Sequence, residues 1–286
     1  MVRIDKLCFG YRRNKLLYRD LDLSLDTGRI YGLLGKNGAG KSTLLKNMTG
    51  LLFPSAGSVS VNGFRPSERK PSFLRTIFFI PEEVYVPPLT IDKYVTHFAP
   101  FYPNFNRGEL NIYLTKLEIN AVDKITKFSF GQQKKFLIAF ALACNTEILI
   151  MDEPTNGLDI PSKKQFRKLI AGVLNEHRMI FISTHQTRDL ENLIDQVIIV
   201  DNGELLLNEP VESVSTKLAV RLRSDIDDHS SVLYEEETPL GQTVIIENIN
   251  GSVGKISLEH LFNAATASPQ MLKKIFHNSL SQYEHE

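Results

Sequence analysis

Nine residues, GKNGAGKST at positions 35 to 43, constrain this chain more than any other stretch. They follow the apolar run RIYGLLG and open KSTLLKNMTGLL, which reads as a helix. Gly35, Gly38 and Gly40 let the backbone turn tightly and aim its N–H groups at one point, where the positive end of the helix reinforces them. A loop built this way holds an anion. Lys41 is spaced to reach the outer phosphates of a nucleoside triphosphate and Ser42 to ligate Mg²⁺. Asn37, Ala39 and Thr43 count with them as nucleotide-binding positions. A glycine-rich turn that bound nothing would not need this lysine and this hydroxyl in register.

Size and charge narrow the rest. At 286 residues the chain can bury a full core, as one large domain or a domain with an appendage. Its 33 Lys+Arg balance 33 Asp+Glu, so no bulk field draws it to nucleic acid, and no nucleic-acid partner is expected. Cys8 and Cys144, the two cysteines, are far apart without metal-ligand spacing, as expected of reduced thiols in a cytosolic protein. Asp5 and Lys6 interrupt the start where a secretion signal would be apolar. The longest apolar run, FLIAFALAC at 136 to 144, is about half the length of a membrane-spanning helix. Any membrane role therefore needs a partner.

Short apolar runs alternate with helical stretches along the chain. RIYGLLG (29 to 35), TIFFIP (76 to 81), EILIMDEP (147 to 154), MIFISTH (179 to 185) and DQVIIVDNGEL (195 to 205) read as strands covered on both faces. QQKKFLIAFALAC, PSKKQFRKLIAGVLNEH and TRDLENLI read as helices between them, Pro161 sitting in a first turn. This alternation predicts an α/β sheet of mainly parallel strands. Residues of about 84 to 145 read as an inserted helical subdomain rich in aromatics. The character changes after residue 210, so residues 1–210 form the expected main domain and 211–286 a small α+β appendage. The appendage shows the alternating runs LAVRLRS, SVLYEEE and QTVIIENIN, then helical segments from near Leu258 and Pro269.

A second acidic element supports the first. The strand ILIMDEP ends in Asp152 and Glu153. Adjacent acids at a strand end are often a solvated turn. Beside an anion-binding loop, Asp152 suits the Mg²⁺ shell and Glu153 suits a general base for the attacking water.

These motifs, in this order, resemble those of the ATP-binding subunits of ABC transporters. GKNGAGKST matches Walker A, FSFGQ (128 to 132) the signature, ILIMDE Walker B, NGLD (156 to 159) the D-loop, and His185 the switch histidine. The resemblance covers roughly residues 1 to 210. It implies a P-loop ATPase core that binds ATP with Mg²⁺ and hydrolyses it, with Lys41, Glu153 and His185 as catalytic residues. It places Tyr11 against adenine, and Ser129, Gly131 and Gln132 against the ATP held by an opposing subunit. Asp159 would touch that subunit across the dimer, or simply cap the helix after it. Ser42, Asp152 and Glu82 form the implied metal shell.

Two positions depart from the family pattern. Phe130 stands where glycine is usual between the phosphate-facing Ser129 and Gly131. Its ring must turn away from the phosphate, or else it obstructs the site and requires a second, different subunit. Glu82, in FFIPEEV, replaces a common glutamine and resembles the subgroup that drives bacterial exporters of drugs, antibiotic peptides and polysaccharides. The aromatics of HFAPFYP would receive a helix of a permease, or serve as subdomain core.

The expectation is therefore an ATPase subunit of a separately encoded membrane exporter. It would work as a homodimer, with a heterodimer as the alternative, at the inner face of the cell membrane. A soluble ATP-driven clamp on a nucleic-acid or ribosomal partner is the competing class. The stretch between Thr43 and Phe128 is too short for the long coiled coil of repair-type clamps, and one set of motifs argues against the two-cassette translation type.

Overall fold

The computed structural model describes residues 1–12, 14–120, 124–226, 231–239, 241–248 and 256–277. The chain opens with β1 (Val2–Phe9) and β2 (Tyr18–Leu25), then β3 (Ile30–Leu34) and helix α1 (Lys41–Met48). β4 (Ala56–Val61), the single turn α2 (Pro71–Leu74) and β5 (Ile77–Ile80) follow. A helical section holds α3 (Ile91–Phe98), α4 (Arg107–Lys116) and α5 (Phe130–Ala143). Next come β6 (Ile148–Asp152), α6 (Ile160–Val173), β7 (Met179–Thr184), β8 (Gln196–Asp201) and β9 (Glu204–Pro210). The C-terminal elements are α7 (Val211–Lys217), β10 (Leu218–Leu222), β11 (Val232–Thr238), β12 (Gly241–Glu247), α8 (Leu258–Ala267) and α9 (Pro269–His277).

Six strands form the central sheet in the order β5-β6-β7-β3-β8-β9. The first five run parallel, and β9 lies antiparallel to β8. Every residue of β3, β6 and β7 is buried, which explains why these runs are continuously apolar. Alternate residues serve two different cores. Ile30, Leu149 and Ile180 pack with α5 and α6, whereas Tyr31, Ile148 and Phe181 pack with α1 and the antiparallel sheet β2-β1-β4. The expected α/β core with a helical section is thus present.

The structure also corrects the reading of several segments. TRDLENLI is not a helix; only Thr187–Asp189 forms a 3₁₀ turn, and Asn192 with φ of 62° ends any helical path. The run 195 to 205 is two strands, because Asn202 and Gly203 reverse the chain as a two-residue hairpin between β8 and β9. The N-terminal antiparallel sheet was not anticipated. In the C-terminal part the alternating runs do form an antiparallel sheet, β10-β12-β11, although Ile249 and Asn250 of QTVIIENIN and residues 278–286 lie outside the described residues.

Parallel strands bring their carboxyl ends to one edge, where ligands of such sheets bind. That edge carries the 35–40 loop after β3, Glu82 after β5, Glu153 after β6 and His185 after β7.

The C-terminal elements share the main core. Val214, Leu218, Ile245 and Leu261 belong to the same apolar cluster as Leu190, Val197 and Leu207. A chain ended after Pro210 bares this face, and we expect it to melt about 5 °C or more below the full chain by circular dichroism. An unchanged melting temperature would show that these elements add nothing to the core.

Candidate functional site

A cleft of about 890 Å³ opens over the start of α1, bounded by Tyr11, Lys36, Gly38, Ser42, Glu82 and Glu153. Its floor is the loop before α1. Gly38 and Gly40 have φ of 82° and 113°, a region that side chains rarely tolerate. The Gly40 carbonyl accepts from the hydroxyl of buried Tyr18 at 2.7 Å, and a Cβ on Gly40 would meet that oxygen at 2.4 Å. Burial pushes the Tyr18 pKa far above its ordinary value, so the phenol stays a donor. The Ala39 N–H donates to the Lys36 carbonyl at 3.1 Å and closes the loop.

Five helix starts satisfy a free N–H group with a side chain, at Thr90, Asn106, Ser129, Asp159 and Ser257, whereas the short α2 and α7 have no such cap. α1 starts at Gly40 without a side-chain cap. Its first N–H groups face the cleft, which is the arrangement that binds phosphate. Lys41 is 6% exposed; its ammonium donates to the carbonyls of Gly35 at 2.8 Å and Lys36 at 3.2 Å. That tether fixes the lysine across the loop. Tyr11 stands at the cleft's rim, with its hydroxyl 3.0 Å from Thr43 Oγ1 and its ring edge-on to Phe9.

Glu153 is the centre of the polar contacts. It is 3% exposed, and Thr184 Oγ1 donates to its Oε2 at 3.0 Å. Its Oε1 accepts from the His185 N–H at 3.0 Å, lies 2.8 Å from His185 Nδ1, and lies 3.6 Å from the Lys41 ammonium. Asp152, buried beside it, accepts from the Ser183 hydroxyl. Glu82 is exposed at the cleft and accepts from Asn156 Nδ2 at 3.5 Å; Asn156 Oδ1 in turn accepts from Gln186 at 3.2 Å. His185 also faces a smaller cavity of about 240 Å³ that shares Lys36 and Asn37 with the cleft.

The structure thus gathers Tyr11, Gly35 to Thr43, Glu82, Asp152, Glu153 and His185 at one edge. It does not bring Ser129, Gly131, Gln132 or Asp159 there; none of these four lines the cleft. Ser129 and Gln132 engage each other in a capping box at the start of α5, with bonds of 2.9 and 3.3 Å. Asp159 caps α6 by accepting from the Ser162 N–H at 2.8 Å, and the hydrogen bonds from Ser162 hold its pKa below the ordinary carboxylate value. Phe130 lays its ring onto Gly157 of its own chain and is 48% exposed.

Sequence reasoning missed Thr184 and Ser183, which hold the two acids, because hydroxyls inside an apolar strand look like ordinary strand residues. It missed Lys134, which is 0% exposed. It also missed Arg12 and Lys15, two cations on the cleft wall whose sequence YRRNK was the available signal.

The donors at the edge fit a hard divalent ion. Among the described residues no cluster of three or more His, Cys, Asp or Glu side chains could hold a metal by itself. The Ser42 hydroxyl and the Asp152 and Glu82 carboxylates are oxygen donors, as Mg²⁺ prefers, and Mg²⁺ typically takes few protein ligands together with phosphates and water.

Known proteins are similar to this chain. The family described as ABC transporter matches residues 18–156. The ABC transporter ATP-binding protein NatA of Bacillus subtilis (strain 168) is 33% identical over 206 residues, covering 68% of this chain and 82% of NatA. The bacitracin transport ATP-binding protein BcrA of Bacillus licheniformis is 32% identical over 237 residues, 76% of this chain and 72% of BcrA. The fold is shared with the dimeric post-hydrolysis structure of the ATP-binding cassette MJ0796 bound to ADP and Pi, at a TM-score of 0.65, 24% identity, and 73% and 98% coverage of the two chains. A phosphate-binding loop, a buried glutamate between Lys41 and His185, and relatives of this identity lead to one assignment: the chain belongs to the family of ABC transporter ATP-binding subunits and is an ATPase.

Proposed function

We propose that this chain powers a separately encoded membrane permease by binding and hydrolysing ATP at the inner face of the cell membrane, and that the transporter is an exporter. The observation that carries the catalytic part is Glu153, buried at the mouth of the phosphate loop with its carboxylate engaged by Thr184, His185 and Lys41. In this reading Glu153 is the general base for the attacking water. Lys41 and His185 hold the γ-phosphate, Tyr11 packs on adenine, and Gly35, Asn37, Gly38, Ala39, Gly40, Ser42 and Thr43 cradle the phosphates. Ser42, Asp152 and Glu82 hold Mg²⁺, which when bound neutralises phosphate charge.

Ser129, Gly131 and Gln132 are assigned to the ATP of a second copy. Their distance from the chain's own cleft supports a pair of subunits that each complete the other's site. Asp159 stands at that dimer face. The division into an ATPase domain of residues 1–210 and an accessory unit of 211–286 is part of the same proposal.

The permease assignment is supported by an apolar groove of about 640 Å³ between the central part and the helical section. Leu51, Leu74, Phe79, Phe98, Phe101 and Tyr102 line it, and Phe101 is 64% exposed. Exposed apolar surface of this kind marks an interaction site. Among the described residues no helix is long and apolar enough to cross a membrane, and the proposal assigns the spanning part to another chain. Similarity to the bacitracin transport ATP-binding protein supports a transport role, and Glu82 in FFIPEEV, which resembles the exporter subgroup, supports export.

Two experiments test these assignments. Glu153→Gln should lower turnover by roughly 10²- to 10⁴-fold while equilibrium ATP binding stays nearly intact. Near-normal hydrolysis by this variant would remove Glu153 from the base role. For the groove, Phe101→Glu should abolish recovery of the chain with washed membranes from cells that express it, with its circular dichroism unchanged. Membrane recovery equal to wild type would exclude the groove as the docking surface.

A further inference from the structure

The turn that carries Glu153 is held from behind by the helix that begins at Phe130. Glu153 has φ of 46°, a left-handed conformation that non-glycine residues rarely adopt. Its N–H donates to the Ser183 carbonyl and hydroxyl, both at 3.1 Å, which fixes one side of the turn. On the other side its carbonyl accepts from the Lys134 ammonium at 2.7 Å. Lys134 is 0% exposed, and a buried ammonium must find partners within the protein.

Phe130 stands one turn earlier on the same face of α5, and its ring centroid lies 5.2 Å from the Lys134 ammonium. The same ring covers Gly157, where a Cβ would sit 2.8 Å from the ring. A Cβ on Gly131 would sit 2.7 Å from the Gly157 carbonyl oxygen, so the first turn of α5 and the loop after Glu153 meet almost backbone to backbone. The half-exposed Phe130 ring thus lies on the solvent side of the buried Lys134 ammonium, which in turn meets the Glu153 peptide.

We infer that Lys134 is a positioning residue for Glu153: its buried ammonium fixes the left-handed peptide that aims the carboxylate at the cleft, and the Phe130 ring keeps water from that contact. This rests on Glu153 acting as the general base. Neither Lys134 nor Phe130 belongs to the phosphate loop, so loss of Lys134 should affect turnover and not nucleotide binding. The charge also lies where a helical residue among amides and lysines would ordinarily be solvated, and its burial marks a task inside the protein.

The test compares wild type, Lys134→Met, Glu153→Gln and the double variant by steady-state ATPase kinetics, equilibrium binding of a fluorescent ATP analogue, and thermal melting. Lys134→Met, matched in length but unable to donate, should lower kcat by about 10- to 100-fold, with KM and analogue affinity within about threefold of wild type. Added to Glu153→Gln it should cost no further turnover, because it acts through that residue. Its melting temperature should not fall, since an apolar side chain replaces a buried charge. If Lys134→Met does not fold, Phe130→Ala, which uncovers the ammonium from the surface, should lower kcat by about threefold at unchanged KM. A Lys134→Met turnover within twofold of wild type overturns the inference, as does a parallel fall in kcat and nucleotide affinity, or an unchanged kcat in Phe130→Ala where that variant stands in. If Glu153→Gln is inactive while Lys134→Met is not, only the positioning role fails. If Glu153→Gln itself turns over normally, the base assignment fails first.

Discussion

A carboxylate buried to 3% exposure needs partners for both oxygens, and the geometry of this protein depends on how Glu153 obtains them. Thr184 and His185 come from the end of β7, and Lys41 from the start of α1. These groups meet because of strand register. β6 pairs with β7 so that Asp152 lies opposite Ser183, and β3 pairs with β7 so that Leu34 lies opposite Thr184. A slip of one residue would turn each side chain to the other face and dissolve the constellation. The apolar alternation between the two cores specifies that register, so packing far from the cleft decides where the acids stand.

The same economy appears in the helical section. α5 is core along most of its length, with Phe136, Ile138 and Phe140 fully buried. Only its first turn remains free for chemistry, and that turn faces the loop after Glu153 and not the chain's own phosphate loop. In the proposed pairing of two copies, a subunit so built has half of two sites. In that proposal the helix that would offer Ser129 and Gly131 to a second copy is also the helix whose Lys134 grips the Glu153 carbonyl, which would give the two sites a short mechanical path.

What the sequence disclosed followed from locality. The phosphate loop, the acids of β6 and His185 are each legible because chemistry and strand end coincide within a few residues. The fold's parallel strands were legible because burial on both faces leaves no polar interruption. The N-terminal sheet was not, since Lys6 and Asp20, with φ of 47° and 50°, break the alternation of β1 and β2 with irregular pairings. TRDLENLI carries helical spacing, but Asp189 is drawn to Lys163 at 2.7 Å and the chain is spent on holding a loop. Lys134 illustrates the deeper limit: a lysine in QQKKF is ordinarily solvated, and only the fold reveals a backbone carbonyl waiting 2.7 Å away. Whether the Phe130 ring turns aside or obstructs stayed open in the sequence for the same reason, because its resting place, Gly157, is distant in sequence.

In the proposed arrangement each chain holds half of two ATP sites. Sedimentation equilibrium of the purified chain with Mg²⁺ and a non-hydrolysable ATP analogue tests it most directly. The expected result is a particle of twice the 32.4 kDa chain mass carrying two nucleotides, and reversion to a single chain when the analogue is removed. A chain that saturates with the analogue and stays at 32.4 kDa at every concentration would contradict it.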